Sequence, residues 1–200
     1  MRIISGDLRG KKLLPISGMI IRPTADRLRE SIFNILSFQI RGTVVLDLFA
    51  GTGALGIEAL SRGAEYAVFV EKHKDALAVI EQNLRSCRLE DRAKIIRWDI
   101  ASNLNCLSSS DSRLFNLIFM DPPYNRNLIS ETLRHLHRSR CLEKGATVVV
   151  EHSPPEPIPE NIAEFVIADQ RKYGKTLVSF LDYVIEIESD NSKAAMKIPP

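Results

Sequence analysis

Two hundred residues fit one domain of ordinary size, and 44% hydrophobic with 26% charged is the composition of a globular chain that buries a core. Three cysteines, Cys87, Cys106 and Cys141, are an odd number without close pairing, so neither a disulfide framework nor a zinc site is indicated. The net charge of +2 says little alone, but residues 1–41 hold eight Lys/Arg against three acids, net +5, leaving the remainder at −3. That asymmetry points to a polyanionic partner near the N-terminus, with a solvated basic face as the alternative. No stretch has the apolar core of a signal peptide, and no run approaches ~18 apolar residues, so the chain reads as cytoplasmic with no membrane partner.

In chain order, "MRIISGDLRGKKL" reads as two short strands around a glycine turn. A helix follows, with Thr24 as its N-cap and Leu28, Ile32, Ile35 and Leu36 on one apolar face. From Thr43 onward strands and helices alternate. "TVVLDLF" is a strand into a glycine turn and "ALGIEALSR" a helix. "YAVFVE", "KDALAVIEQNLRSC", "AKIIRWD", "LFNLIFMD", "LISETLRHLHRS" and "ATVVVEH" continue the pattern. "AEFVIADQRKYG" and "KTLVSFLDYVIEI" then close as an antiparallel hairpin across Gly174. Strands alternating with helices of ten to fifteen residues predict an α/β fold with a mostly parallel sheet covered on both faces. The loop Ser108–Ser112 is no domain linker, and the tail from Ser189 to Pro200 is polar and aperiodic, which predicts disorder.

Ligands of such sheets bind beyond the carboxyl ends of the strands. Four consecutive predicted strands end in an acid: Asp47, Glu71, Asp99 and Asp121. Gly51 and Gly53 let a ligand approach the backbone closely. Glu71, about 20 residues past that turn, suits the two hydroxyls of a ribose. Asp99 is placed to accept from an adenine amino group, so the site expects an adenosine. Gly51-Thr52-Gly53-Ala54-Leu55-Gly56 nominally matches the dinucleotide turn, but Asp47 would repel a pyrophosphate and welcome the cationic amino-acid end of S-adenosylmethionine. Asp47-Leu48-Phe49-Ala50-Gly51-Thr52-Gly53 looks like motif I of the class I methyltransferases. The expected cofactor set is Asp47, Phe49, Ala50, Gly51, Thr52, Gly53, Glu71, Lys72, Asp99, Ile100 and Asp121, with no metal.

The fourth strand ends in Asp121-Pro122-Pro123-Tyr124. Neither proline has an N–H, and ionised Asp121 only accepts, so the segment is a stiff, acceptor-only ledge beside a ring. Its complement is a planar amine stacked on Tyr124. Acceptors gripping both amine hydrogens would favour a more pyramidal, more nucleophilic nitrogen. Asp121, Pro122 and Tyr124 are therefore the expected catalytic residues. His73 reads as a solvated or capping residue, and His135, His137 and His152 lack ligand partners at recognisable spacing.

D-P-P-Y is similar to motif IV of amino-methyltransferases, whose substrates include adenine in DNA, guanine in RNA and, as N-P-P-Y, protein glutamine. "RIISGDLRGKKL", "IRPTADRLRESIFNIL", "VLDLFAGTGALGIEALSRGA", "FVEKHKDALAVIEQNL" and "FMDPPY" resemble, in order, the bacterial 16S rRNA guanine-N2 methyltransferase family, RsmD-like. The match runs from about Arg2 to Glu151. It implies a Rossmann-like fold with a seven-stranded sheet, and methylation by S-adenosylmethionine of a hairpin-loop guanine, presented in the small ribosomal subunit or its assembly intermediate. It also implies phosphate contacts from Arg9, Lys11, Lys12, Arg22 and Arg27, with Arg22-Pro23-Thr24 near the cofactor mouth and Thr24 in the RNA-binding set. Departures are mild: Asp7-Leu8 stands where an aromatic is frequent, and Tyr124 where Phe also occurs. The expected division is a basic RNA-contacting extension over 1–41, a methyltransferase domain over 42–188 and a tail over 189–200, in a monomer. Two other readings stay open: an adenine-N6 methyltransferase, which would need a recognition insert, and a non-catalytic ribosome-assembly factor.

Overall fold

The computed structural model describes residues 1–16, 23–107 and 113–184. Arg22, the Ser108–Ser112 loop and the tail from Ser189 lie outside these residues. Seven strands form one sheet in the order β3-β2-β1-β4-β5-β7-β6. Strands β1 (Val44–Leu48), β2 (Tyr66–Glu71), β3 (Ala93–Arg97), β4 (Phe115–Met120) and β5 (Leu142–His152) pair in parallel. β6 (Phe165–Tyr173) and β7 (Thr176–Tyr183) form the expected hairpin, and β7 inserts antiparallel beside β5. β1 leads to β2 on one side and lies against β4 on the other, so the strand order reverses there and opens a crevice at the carboxyl ends.

Alternation along the strands feeds two cores. Val45, Phe69, Phe119 and Val149 face α1 (Pro23–Ile35), α2 (Ala54–Ser61) and α3 (Lys74–Cys87). Leu46, Val68, Ile118 and Val150 face α4 (Leu128–Ser139). Helices thus cover both faces, which is why these strands read as continuous apolar runs. No helix among the described residues is long and apolar enough to cross a membrane.

The N-terminal hairpin is slighter than two strands: one antiparallel bridge joins Arg2 and Lys12. Its turn closes through Ile3 N–H to the Lys11 carbonyl at 2.9 Å and Gly10 N–H to the Ile3 carbonyl at 2.8 Å. It needs no ladder because α2 holds it. Glu58, 1% exposed, accepts the N–H groups of Ile4 at 2.8 Å and Ser5 at 3.0 Å. Ser61 Oγ accepts from Leu8 N–H at 3.0 Å and donates to the Ser5 carbonyl at 2.7 Å. Gly6, at φ +81°, lies so close that a Cβ there would fall 1.9 Å from the Ser61 carbonyl oxygen.

Helix α1 begins two residues earlier than a Thr24 cap implies. Pro23 occupies its first turn, where a missing N–H costs nothing, so Thr24 is helical rather than a cap. Its apolar face is also rotated: Leu28, Ile32 and Leu36 are buried, but Ile35 is 41% exposed and Phe33 is fully buried instead. Arg29 explains the rotation. It is 5% exposed, donates to the Arg2 carbonyl at 2.6 Å and to Asp26 at 3.2 Å, and sits 3.9 Å from Glu58. Arg62 completes this cluster, 2.8 Å from Glu58, with its guanidinium 4.8 Å over the Phe33 ring.

Candidate active site

The glycine turn is built as its sequence suggests. Gly51 and Gly53 both have positive φ, 56° and 76°, and so does Phe49 at 60°, a conformation seldom adopted without Gly. Gly56 serves packing: a Cβ there would meet the Phe69 ring at 2.4 Å and Asp47 Oδ2 at 3.2 Å. Asp47 is 2% exposed, and its Oδ2 accepts the Gly56 N–H at 2.9 Å. Burial lifts its pKa from 3.8 to about 8, the Gly56 N–H opposes the rise, and Glu71 adds to it. Loss of hydration outweighs one hydrogen bond, because no nearby cation replaces the lost water.

Glu71 closes the turn from below. Its Oε2 accepts Gly51 N–H at 3.0 Å, and its Oε1 accepts the N–H groups of Lys72 at 2.8 Å and His73 at 2.9 Å. Three of about four acceptor positions are filled, leaving roughly one, on Oε2. Lys72 Nζ reaches across the rim to Asp99 at 3.7 Å. Asp99 also accepts Ala101 N–H at 3.2 Å, and Ile100 behind it is buried. His73 stands exposed at the N-cap position of α3 without a side-chain capping bond.

At the end of β4, Pro122 is buried while Asp121, Pro123 and Tyr124 are exposed. Asp121 nevertheless has its pKa raised well above the carboxylate range, by loss of hydration first, then by Glu151 and Asp47. Asp121 sits on the crevice at the carboxyl ends, exposed, between the strands that carry Asp47 and Glu151. The Tyr124 hydroxyl donates to Glu151 Oε1 at 2.7 Å and lies 3.2 Å from Thr176 Oγ1. Its pKa is pushed far up, chiefly by burial, so it stays a phenol and a donor. Glu151 is itself raised by burial, and the Tyr124 bond opposes that rise. Behind the ledge, Asn125 N–H donates to Glu156 at 2.6 Å and Ser153 Oγ to Asn125 Oδ1 at 3.0 Å, fixing Asn125 at φ 58°.

Asp47, Glu71, Asp99 and Asp121 thus gather at one end of the sheet, with Phe49, Ala50, Thr52, Lys72, Ile100, Pro122 and Tyr124 on the segments that carry them. Sequence reasoning missed Glu151, although the rule that found the other acids covers it: β5 also ends in a carboxylate. It missed Asn83 too. This residue is fully buried in α3; its amide donates to the Thr52 carbonyl at 3.0 Å and the Leu14 carbonyl at 3.2 Å, tying the glycine turn to the N-terminal segment. A polar residue on the apolar stripe of Ala76, Ile80 and Leu84 was the available signal.

Among the basic residues, Arg9 and Arg27 line one open recess with Arg2, Asp26 and Glu30. Lys12 is exposed outside it, and the Lys11 ammonium donates to the Ser86 carbonyl of α3. The side chain of Thr24 lies outside the described atoms, as does Arg22. His152 is a satisfied core histidine, 2.9 Å from the Glu156 carbonyl and 2.8 Å from Ser179 Oγ. The three cysteines are free, two of them buried.

Comparison with known proteins gives one consistent picture. The family model described as Conserved hypothetical protein 95 matches residues 1–182. YlbH of Bacillus subtilis is 36% identical over 179 residues, covering 90% of this chain and 97% of its own. Ribosomal RNA small subunit methyltransferase D of Escherichia coli K12 is 32% identical over 190 residues, 95% of this chain and 93% of its own. The solved structure of yhhF from Escherichia coli superposes with a TM-score of 0.81 at 32% identity, over 92% of this chain and 98% of that one.

Proposed function

This chain belongs to the Conserved hypothetical protein 95 family of RsmD-like methyltransferases, and from that premise we propose that it methylates the exocyclic 2-amino group of a guanine in 16S rRNA, with S-adenosylmethionine as donor. The observation that carries the proposal is the acid cluster. Asp47, Asp121 and Glu151 all have raised pKa values, and none has a cation among the causes acting on it. Lys72 pairs with Asp99 at the rim, but these three carboxyls have no such partner among the described residues, and that suits a ligand that brings a cation. S-adenosylmethionine supplies an electrophilic methyl on a sulfonium, beside a cationic amino-acid end.

The chain's own residues do the rest. Asp47 faces the cationic end from beneath the turn, Glu71 offers Oε2 to the ribose, and Asp99 with Ile100 takes the adenine. The Asp121-Pro122 ledge grips the substrate amine while Tyr124 stacks on its base, which positions the nitrogen for in-line attack. The nitrogen lone pair forms the new N–C bond, the S–C pair stays on sulfur, and the proton freed from nitrogen passes to Asp121, which the positive charge of the bound donor would keep ionised. A looped-out base reaches such a recess where a paired one does not. Arg9, Lys12 and Arg27 supply phosphate contacts from the basic segment 1–41, and residues 42–188 form the methyltransferase domain. The enzyme acts as a monomer on the small subunit or its assembly intermediate.

The test is incubation with labelled S-adenosylmethionine and small subunits lacking the modification, followed by nucleoside analysis. N2-methylguanosine is expected. N6-methyladenosine would overturn the base assignment, and no incorporation would overturn the activity.

A further inference from the structure

The recess at the end of β4 is rich in acceptors. It holds the Asp121 carboxyl, the donor-free backbone of Pro122 and Pro123, and the Glu151 carboxyl at the end of β5. The Tyr124 hydroxyl, the donor nearest to hand, is already committed to Glu151 Oε1 at 2.7 Å, with Thr176 beside it at 3.2 Å. That bond engages Oε1 and orients the Glu151 carboxyl, and the hydrogen bond it makes among the described residues is to this oxygen, not to Oε2. Glu151 is only partly buried, so Oε2 is within reach of a ligand in the recess. Met120 pairs with Val150 in the parallel β4–β5 register, so Asp121 and Glu151 follow side by side at the ends of adjacent strands.

The edges of the purines differ in what they offer such a wall. Guanine presents its N1–H and both hydrogens of its 2-amino group side by side, three donors in a row. Adenine and 2-aminopurine each carry an amino group next to an N1 lone pair. That lone pair facing a carboxylate oxygen is repelled, and the carboxylate is left desolvated and unpaired.

We infer that Glu151 is the specificity-determining residue: its Oε2 accepts the N1–H of guanine while the Asp121 ledge holds the 2-amino group. The inference rests on the proposed guanine reaction and adds the group that reads the base. Glu151 is not the proton acceptor; it selects which amine can enter.

The test compares one hairpin RNA carrying either guanine or 2-aminopurine at the target position. Both bases present the 2-amino group, and only guanine has N1–H. Wild type should favour guanine by at least ~30-fold in kcat/KM, the scale of a missing hydrogen bond that leaves a buried group unpaired. Glu151→Gln places an amide that donates to N1 of 2-aminopurine, and should bring the two bases within about 3-fold of each other. Tyr124→Phe, which loosens Glu151 without removing it, should slow both substrates and keep most of the preference. A structural role for Glu151 would lower both rates together and leave the ratio unmoved; that result in Glu151→Gln overturns the inference, as does a wild type indifferent to the two bases. If wild type methylates adenine and leaves guanine untouched, the reaction proposed above falls, and this inference with it.

Discussion

Two regions of the molecule bury carboxyls, and they treat them in opposite ways. Glu58, between the N-terminal hairpin and α2, has two backbone N–H groups, Arg62 at 2.8 Å and Arg29 at 3.9 Å. Burial lowers the Arg29 pKa, and Asp26 and Glu58 hold it up in return. At the strand ends burial drives Asp47, Asp121 and Glu151 upward instead, with Glu71 adding to the rise of Asp47 and both Glu151 and Asp47 adding to that of Asp121. An acid given its cations inside the fold is a fastener. An acid denied them is a socket, and the missing charge must come with the ligand.

That contrast can be broken most forcefully at Asp121. Asp121→Ala should lower turnover by about 10³-fold, roughly 4 kcal/mol, while cofactor affinity by calorimetry stays within about 3-fold. Near-normal turnover would remove Asp121 from the chemistry. In the fastener, Glu58→Ala leaves buried Arg29 with Asp26 alone, strips Arg62 of its 2.8 Å partner and frees two backbone N–H groups. The expected loss is about 3–5 kcal/mol, seen as a fall of ~10 °C in Tm, with cofactor affinity of the folded fraction unchanged.

Asp47→Asn should show the opposite sign. With a folded pKa of about 8 against 3.8, the native state keeps a proton that the unfolded chain has released across that window. Ligand-free stability therefore falls as pH rises from about 4 to about 8. The Asn variant should flatten this slope and be more stable than wild type at pH 9, by ~1–2 kcal/mol in denaturant titration, while binding the cofactor about tenfold more weakly. In wild type, cofactor affinity should rise from pH 6 to pH 8.5 with measurable proton release. The smallest effect is expected on the basic recess. Removing Arg9 and Arg27 together should weaken RNA binding by roughly 1 kcal/mol per contact and reduce the salt slope by about 2, with cofactor binding untouched.

Much of this architecture was legible because burial on both faces writes itself as apolar runs, and helices as stripes. The acids at the ends of β1 to β4 were legible from position alone. Glu151 was passed over because "VVVEH" reads as one buried strand, and nothing local says which of its two polar residues faces the recess. The structure sends His152 into the core and Glu151 to the site. The Glu58–Arg29 pairing joins α2 to α1 across 29 residues, beyond any local pattern. Nor does residue type announce the left-handed backbone of Phe49, a conformation that Asn125 adopts more readily.

The Tyr124 hydroxyl leans on Thr176, the first residue of β7, and β7 is the last of the seven strands in chain order. During synthesis β1 to β4 and the glycine turn leave the ribosome well before that residue does. The ring's first anchor, Glu151 on β5, is therefore made before its second, on β7. Once β7 slides in between β5 and β6, the ring is pinned. The strand made last thus braces, from the far side, a ring carried on a segment made some fifty residues earlier.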